Sequence, residues 1–491
     1  MRNLSFLLPS VLFFGAACGA PSAPLVLPAA DALAGQCQVV VREFTKASEE
    51  GRHLPVAVRV RGEAAKLLSE TELATHLTQA RPGGETLVLA RAGSGKSHLS
   101  WALLARTCEK IPAIHVAVAK ELAPLYLTET AKTPALGRFL AHQLGAPLTA
   151  EPSAVLQRAF GQAPWLLIID GADELTSSER KKLEANLAWL RGLGTQQHIV
   201  RLERPGYEGL KRQPTPDQVL ELPELTCAEV DAVLHSRWPE GKERSDSTAW
   251  LVRHHLDRKK PGDACYYVHI STWRDAEVVA ELAQAAASGP DDLTEDPTRA
   301  DVHGQWIINK LKAFGVGTTL ALPWLDRIVA MGVSKATEPD LVLTEDRCLG
   351  AAGPDGNVSA EMCKGLLRSS VLKAMPAPGS FMFKNKTIAD LLMARWLTER
   401  YADCGTLAGA TAAMGSIETT SMVASTQAGR LCLAQLLASE CSQGVPTEQV
   451  AAMADEALPL GSRDPVVLDR IKAQASSACE RTVIGALYPR P

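Results

Sequence analysis

Residues 86–97 read Thr-Leu-Val-Leu-Ala-Arg-Ala-Gly-Ser-Gly-Lys-Ser, an apolar run of strand length that gives way to small residues and ends in Lys96 and Ser97. An uninterrupted apolar stretch of this kind fits a parallel strand covered on both faces. Gly93 and Gly95 free the backbone for positive-φ turns that bring several N–H groups around an anion. The helix expected over 97–107 aims its N-terminal partial positive charge at the same point. Ala90, Arg91, Ala92, Gly93, Ser94, Gly95, Lys96 and Ser97 therefore form a predicted phosphate cradle. Lys96 is expected to reach the β and γ phosphates, and the Ser97 hydroxyl to ligate Mg²⁺. Ala90 stands where the pattern usually has its first Gly.

A second apolar run, Trp165–Ile169, delivers Asp170 to a strand's C-terminal end, where open α/β sheets bind ligands. Asp170 is the expected carboxylate for Mg²⁺, directly or through water. Gly171 follows it, and the next acids, Asp173 and Glu174, are candidates for polarising an attacking water. Cradle and acid are expected on neighbouring strands. Further strands near Thr86–Ala90, Ala113–Ala119, His198–Leu202 and Gln218–Leu222 alternate with helices, which implies an α/β fold with a parallel sheet and right-handed crossovers. In the helix expected over Ser177–Leu193, Leu183, Leu187 and Leu190 share one face and read as core packing. Ahead of this core, Gln38–Val41 and Pro55–Val60 look like strands, and Leu68–Thr78 like a helix.

The cradle, the string Asp170-Gly171-Ala172-Asp173-Glu174 and the pair Arg204-Pro205 after His198–Leu202 together resemble the NACHT group of signal-transducing P-loop ATPases, in the STAND class. The similarity continues through Gln218–Arg237 and through Phe381–Glu399, which looks like the end of that family's winged-helix segment. It spans roughly Leu54–Arg400. What the resemblance implies is an α/β P-loop sheet flanked by helices, then a helical domain, a winged helix and a small all-helical C-terminal region. The corresponding divisions are 1–35, 36–225, 226–321, 322–400 and 401–491. Arg204 would be the sensor arginine facing the γ-phosphate, a catalytic residue beside Asp173 and Glu174. Asn385 falls where the family carries a His that touches the β-phosphate; Asn still donates a hydrogen bond but carries no charge. Tyr267–Glu277 lacks the Pro with which relatives contact the nucleotide, so no residue is assigned to that contact.

The chain has 491 residues, 46% apolar and 22% charged, with a net charge of −4. That length calls for two to four domains, and the composition excludes a disordered chain. With no basic tract or aromatic-interleaved patch, nucleic-acid binding is not expected. Arg258-Lys259-Lys260 reads as a solvated loop. Met1–Asn3 is a short positive start, Leu4–Ala17 is largely apolar, and Gly15-Ala16-Ala17-Cys18 resembles a bacterial lipoprotein processing site. A lipid on Cys18 would place the chain at a membrane or in the cell envelope; a start downstream of Met1 would instead leave it cytoplasmic. Ala20–Gly35 looks like a linker. Eleven cysteines show no CxxC spacing, so a zinc ribbon is not expected. Buried free thiols are the ordinary reading of Cys108, Cys432 and Cys441, while ten available cysteines could pair in an oxidising compartment.

The function expected from these readings is an ATP/ADP- and Mg²⁺-dependent switch that self-associates with ATP and hydrolyses slowly. The C-terminal region is the expected sensor of an unknown protein partner or ligand. Alternatives are a constitutive ATPase that remodels a partner, and an envelope-anchored interaction protein whose nucleotide-binding fold does not turn over.

Overall fold

The computed structural model describes residues 29–487, apart from 50–54, 62–65, 92, 131–132, 148–149, 162, 173–174, 176, 205–215, 239, 257–266, 268, 271, 290, 296, 314–322, 330–342, 351–359, 370, 375–378, 380, 384–385, 414–416, 446 and 459–464. The first part of the chain runs α1 (Ala29–Glu49), β1 (Ala57–Val60), β2 (Leu67–Ser69), α2 (Glu70–Thr78), β3 (Glu85–Leu89), α3 (Lys96–Cys108), β4 (Ala113–Ala117), α4 (Val118–Glu121), α5 (Ala135–Gln143), α6 (Pro152–Phe160), β5 (Pro164–Asp170), α7 (Ser177–Gly192), β6 (Gln196–Glu203) and β7 (Gln218–Glu221). The strands form one seven-stranded sheet in the order β2-β1-β7-β3-β6-β5-β4.

Five of the strands, β7-β3-β6-β5-β4, are parallel, as the apolar runs predict. At one edge the sheet is mixed, as β1 pairs antiparallel with both β2 and β7. This edge is short and its strands alternate in burial, the pattern of antiparallel pairs with one face towards water. The expectation that cradle and acid lie on neighbouring strands is corrected. β6 lies between them, pairing with β3 on one side and β5 on the other.

Side-chain alternation divides the sheet's two faces. Val88, Ala90, Leu166, Ile168, Val200 and Leu202 pack with Leu99 and Leu103 of α3. Leu167, Ile169 and Ile199 pack on the other face with Leu183, Leu187 and Leu190 of α7, all fully buried as the spacing predicts.

Gln38–Val41, expected as a strand, and the end of the expected linker Ala20–Gly35 both lie in helix α1. Leu33, Cys37, Val40, Phe44 and Ala47 fall at i, i+4, i+7, i+11 and i+14 and turn inward. This stripe runs over most of the helix and overrides the three valines of high strand propensity at 39–41. Phe44 meets the Trp101 ring of α3 at 5.1 Å, and Cys37 is bonded to Cys108 at the far end of α3.

The rest of the chain is α8 (Cys227–Arg237), α9 (Lys242–Arg253), α10 (Trp273–Ser288), α11 (Arg299–Lys312), α12 (323–329), α13 (Glu345–Gly350), α14 (Ala360–Arg368), β8 (Leu372–Ala374), β9 (Phe381–Phe383), α15 (Lys386–Arg400), α16 (Cys404–Ala413), α17 (Ile417–Ala424), α18 (Gln427–Leu431), α19 (Leu433–Ser442), α20 (Thr447–Ala457), α21 (Pro465–Gln474) and α22 (Ala478–Leu487). β8 and β9 make an antiparallel hairpin between α14 and α15. One apolar cluster runs from Val230 to Leu487 through nearly all of these segments, so the helical region, the hairpin segment and the C-terminal helices share a core.

The free-thiol reading of Cys108, Cys432 and Cys441 is corrected. Disulfides join Cys37–Cys108, Cys348–Cys363, Cys404–Cys432 and Cys441–Cys479, and Cys227 is disulfide-bonded as well. Their partners are 15 to 71 residues apart, so no short motif in the sequence marks them. No helix among the described residues is long and apolar enough to cross a membrane.

Cys37–Cys108 closes a span of 71 residues. For a loop of that length, the chain-entropy argument assigns the crosslink about 4 kcal/mol. Replacing both cysteines by Ser is expected to lower the unfolding free energy in urea by about that amount. An unchanged urea midpoint contradicts the pairing.

Candidate functional site

The glycine loop follows β3, whose five residues are all buried. Ala90 donates its N–H to Glu203 O at 2.8 Å, which continues the pairing with β6 into the loop. Gly93 and Gly95 take φ of 77° and 94°, the left-handed conformations for which glycine was predicted there. Ser94 closes the turn, its hydroxyl donating to Arg91 O at 2.7 Å. Lys96 Nζ arches back over the loop and donates to Ala90 O at 3.0 Å and Arg91 O at 3.4 Å. Arg91 itself turns outward to Glu224 at 2.7 Å, so its contribution to the cradle is its backbone. The helix expected over 97–107 spans Lys96–Cys108, and Ser97 sits in its first turn. No described side chain caps it, and a helix start of this kind is suited to an anion.

Asp170 ends β5, is 7% exposed, and shares its face of the sheet with α3 because it alternates with Leu166 and Ile168. Gly171 next takes φ 80°, a turn that explains glycine directly after the acid. On β6, Leu202 stands opposite Asp170, and Arg204 lies two residues further on the same face. The sheet thus gathers Lys96, Arg204 and Asp170 at the C-terminal ends of three adjacent strands, β3, β6 and β5. Ser97 and Asp170 offer one hydroxyl and one carboxylate oxygen at the same end of the sheet, an oxygen donor set suited to Mg²⁺. Arg204 is buried, with Nη1 3.6 Å from Oδ2 of Asp390 on α15. Ala92, Asp173, Glu174 and Asn385 lie outside the described residues.

Three features of the site were missed in the sequence. The first is the residue pair above the loop. Arg274 donates its N–H to Gly93 O at 3.1 Å, and a Cβ built on Gly93 would stand 2.5 Å from the Arg274 Cβ. A Cβ on Gly95 would come within 3.1 Å of the Trp273 indole. Trp273 and Arg274, the first residues of α10, therefore sit directly over the loop, within the Tyr267–Glu277 stretch to which the sequence assigned no contact. The readable signal was the capping box Thr272-x-x-Asp275, which fixes where this helix begins.

The second feature is a buried ionic cluster that holds α10 in position. Asp275 accepts from Arg299 at 3.1 Å and from His303 at 2.8 Å, all three nearly inaccessible to solvent. Burial alone would raise the Asp275 pKa. Arg299, His303 and Thr272 more than offset this and hold it far below the usual carboxylate range. Burial chiefly, against the pull of Asp275, keeps the His303 ring below its ordinary 6.5.

The third lies on the α7 face of β6. Arg201 contacts Glu203 and Glu184 at 2.6 Å and Glu85 at 3.8 Å, and Arg191 of α7 bonds Glu85. Desolvation works against the Arg201 charge, but these carboxylates raise its pKa above the usual value. The cluster ties β3, β6 and α7 together, from Glu85 at the start of β3 to Glu203 at the end of β6. A charge-rich strand gives a weak sequence signal, because its ions read as exposed until partners are known.

No family model matches the chain, and no curated protein is similar to it. Among solved structures it is similar to the ORC1 protein of Aeropyrum pernix in complex with DNA, at 10% identity and TM-score 0.30, covering 67% of this chain and 92% of that one. It is also similar to a chain of the HORMA:CdnC:Trip13 complex of E. coli MS115-1, at 16% identity and TM-score 0.26, covering 53% and 81%. A third is Drosophila ORC bound to DNA, at 12% identity and TM-score 0.28, covering 74% and 97%. Superpositions this weak carry no argument about function; the fold stands on the chain's own strand order and loop geometry.

Gly83 and Gly93 provide a paired test, since their φ values are 78° and 77°. A Cβ on Gly83 meets nothing within 4 Å, whereas one on Gly93 meets Arg274. Gly83→Ala is expected to cost about 1–2 kcal/mol, the left-handed strain alone. Gly93→Ala is expected to cost clearly more, with α10 displaced. Equal losses in urea unfolding contradict the close docking of α10 on the loop.

Acid is expected to weaken the fold. His198 and His303 are both held below 6.5, chiefly by burial, so below that pH the unfolded chain binds protons that the folded state refuses. Stability should therefore fall from pH 7 to pH 5.5. It should fall further below about pH 4, where an unfolded Asp275 becomes protonated. A melting temperature that stays flat or rises on acidification between pH 7 and 5.5 contradicts this.

Proposed function

We propose that this chain is a NACHT-type nucleotide switch that binds ATP or ADP with Mg²⁺ between its α/β core and the helical segments that follow. The observation that carries the reading is the convergence of Lys96, Arg204 and Asp170 on one face of the sheet, beside a loop with two left-handed glycines. Loop N–H groups and the start of α3 would bind phosphate oxygens. Lys96 would exchange its loop carbonyls for the terminal phosphates, and Trp273 and Arg274 would close over the loop from α10. Ser97 and Asp170 would hold Mg²⁺, whose charge screens the phosphates and polarises the bond to the terminal one. Asp173 or Glu174 would orient the water for slow hydrolysis, and Asn385 would donate to the β-phosphate. ATP would favour an open, self-associating form only as far as it binds that form better than ADP does. The C-terminal helices would read a protein partner or ligand, and no nucleic-acid role is proposed.

We also propose that the chain matures in an oxidising compartment, anchored at a membrane by a lipid on Cys18. All nine described cysteines are disulfide-bonded, a usage typical of exported proteins. Residues 1–28, which carry the leader, lie outside the described residues.

Magnesium and ADP at about one hundred times their dissociation constant are expected to stabilise the protein by ~2.7 kcal/mol, read as a raised melting temperature. Lys96→Ala should abolish that rise while leaving the unliganded melting temperature within a degree or two. A rise that persists in Lys96→Ala, or no rise in the native protein, sinks the nucleotide reading.

A further inference from the structure

Arg204 leaves β6 between the strand of the phosphate loop and the strand of Asp170, on the face that α3 covers. On the nucleotide reading above, an arginine at that place would face the terminal phosphate held by the loop. In the structure its charge faces Asp390 instead, 3.6 Å away, and both side chains are 4% exposed. The second oxygen of Asp390 is also engaged, since Thr419 Oγ1 of α17 donates to Oδ1 at 2.9 Å. The adjacent Thr420 donates to Glu440 of α19 at 2.6 Å. One buried carboxylate on α15 therefore stands between a cation of the α/β core and a hydroxyl of the C-terminal helices.

We propose, on the nucleotide-switch reading above, that Asp390 is a positioning residue that competes with the terminal phosphate of ATP for Arg204, and that Thr419 lets the C-terminal helices set the strength of that competition. A buried guanidinium needs an anion, and a buried carboxylate needs its cation or donors. While α15 is docked, Asp390 supplies the anion. A triphosphate supplies another and makes the Asp390 contact dispensable, whereas a diphosphate adds no group at that point. Triphosphate binding and release of α15 therefore favour each other, and the coupling is reciprocal. Thr419 orients Asp390 from α17, so a signal that moves the C-terminal helices alters the hold on Arg204 without touching the nucleotide.

The test measures dissociation constants of the full chain for Mg-ADP and for a non-hydrolysable ATP analogue, by calorimetry. Asp390→Asn keeps the shape and removes the charge. It is expected to raise the preference for triphosphate over diphosphate about tenfold, within the usual range of coupling between sites. Thr419→Val should shift the preference in the same direction by less, and Asp390→Glu should restore part of the native preference. In an Arg204→Ala background, Asp390→Asn should change nothing further. A preference within twofold of the native one in Asp390→Asn, or an equal shift without Arg204, overturns the proposal. If Asp390→Asn yields no folded protein, Thr419→Val decides by the same ratio, an unchanged ratio again overturning it. Failure of the nucleotide reading is separate and comes first, as the native chain would then bind neither nucleotide.

Discussion

The docking of α10 on the glycine loop is the contact on which the rest of the site depends. Arg274 donates its backbone N–H to Gly93, and Trp273 packs against Gly95. Neither approach leaves room for a side chain on the loop. The two glycines therefore do two things at once: they permit the left-handed turns that aim N–H groups at a phosphate, and they let the helical region reach the backbone that would hold it. Any group bound in the loop lies at a boundary between two packed bodies, so its presence or size can bias how they sit together.

β6 gives that boundary its chemistry. Inserted between the loop strand and the Asp170 strand, it places Arg204 between cradle and acid, while alternation turns Arg201 and Glu203 to the opposite face. There, Arg201, Glu85 and Glu203 are buried together, and Arg191 and the half-exposed Glu184 of α7 complete the cluster. Such clusters are costly to desolvate, and removing one partner strands the others. Their physical effect is to tie β3 and β6 to α7.

Much of this was legible in the sequence because the chemistry is local. The loop, its helix, the apolar strand before Asp170 and the leucine stripe of α7 each announce themselves within twenty residues, and all appear where expected. What was not legible depends on residues distant in the chain. The Arg204–Asp390 contact joins positions 186 apart, and the four located disulfides join helices whose cysteines look like ordinary core residues. The strand assigned to Gln38–Val41 failed for another reason. Three valines of strong β propensity were weighed without the longer helical stripe around them, and tertiary packing on α3 decides such conflicts.

The disulfides and the proposed nucleotide site pull the biology in different directions, since ATP is scarce where disulfides form readily. The common ground is a helical region crosslinked by Cys348–Cys363, Cys404–Cys432 and Cys441–Cys479, beside an α/β core in which Cys37–Cys108 joins α1 to α3. The most direct test of the central claim, one pocket shared by the loop, the sheet ends and α10, is hydrogen–deuterium exchange with and without Mg-ADP. The account predicts protection in three separated segments together, 90–97, 170–172 and 273–276. Protection of none of them, or of the loop alone with α10 unaffected, would contradict it.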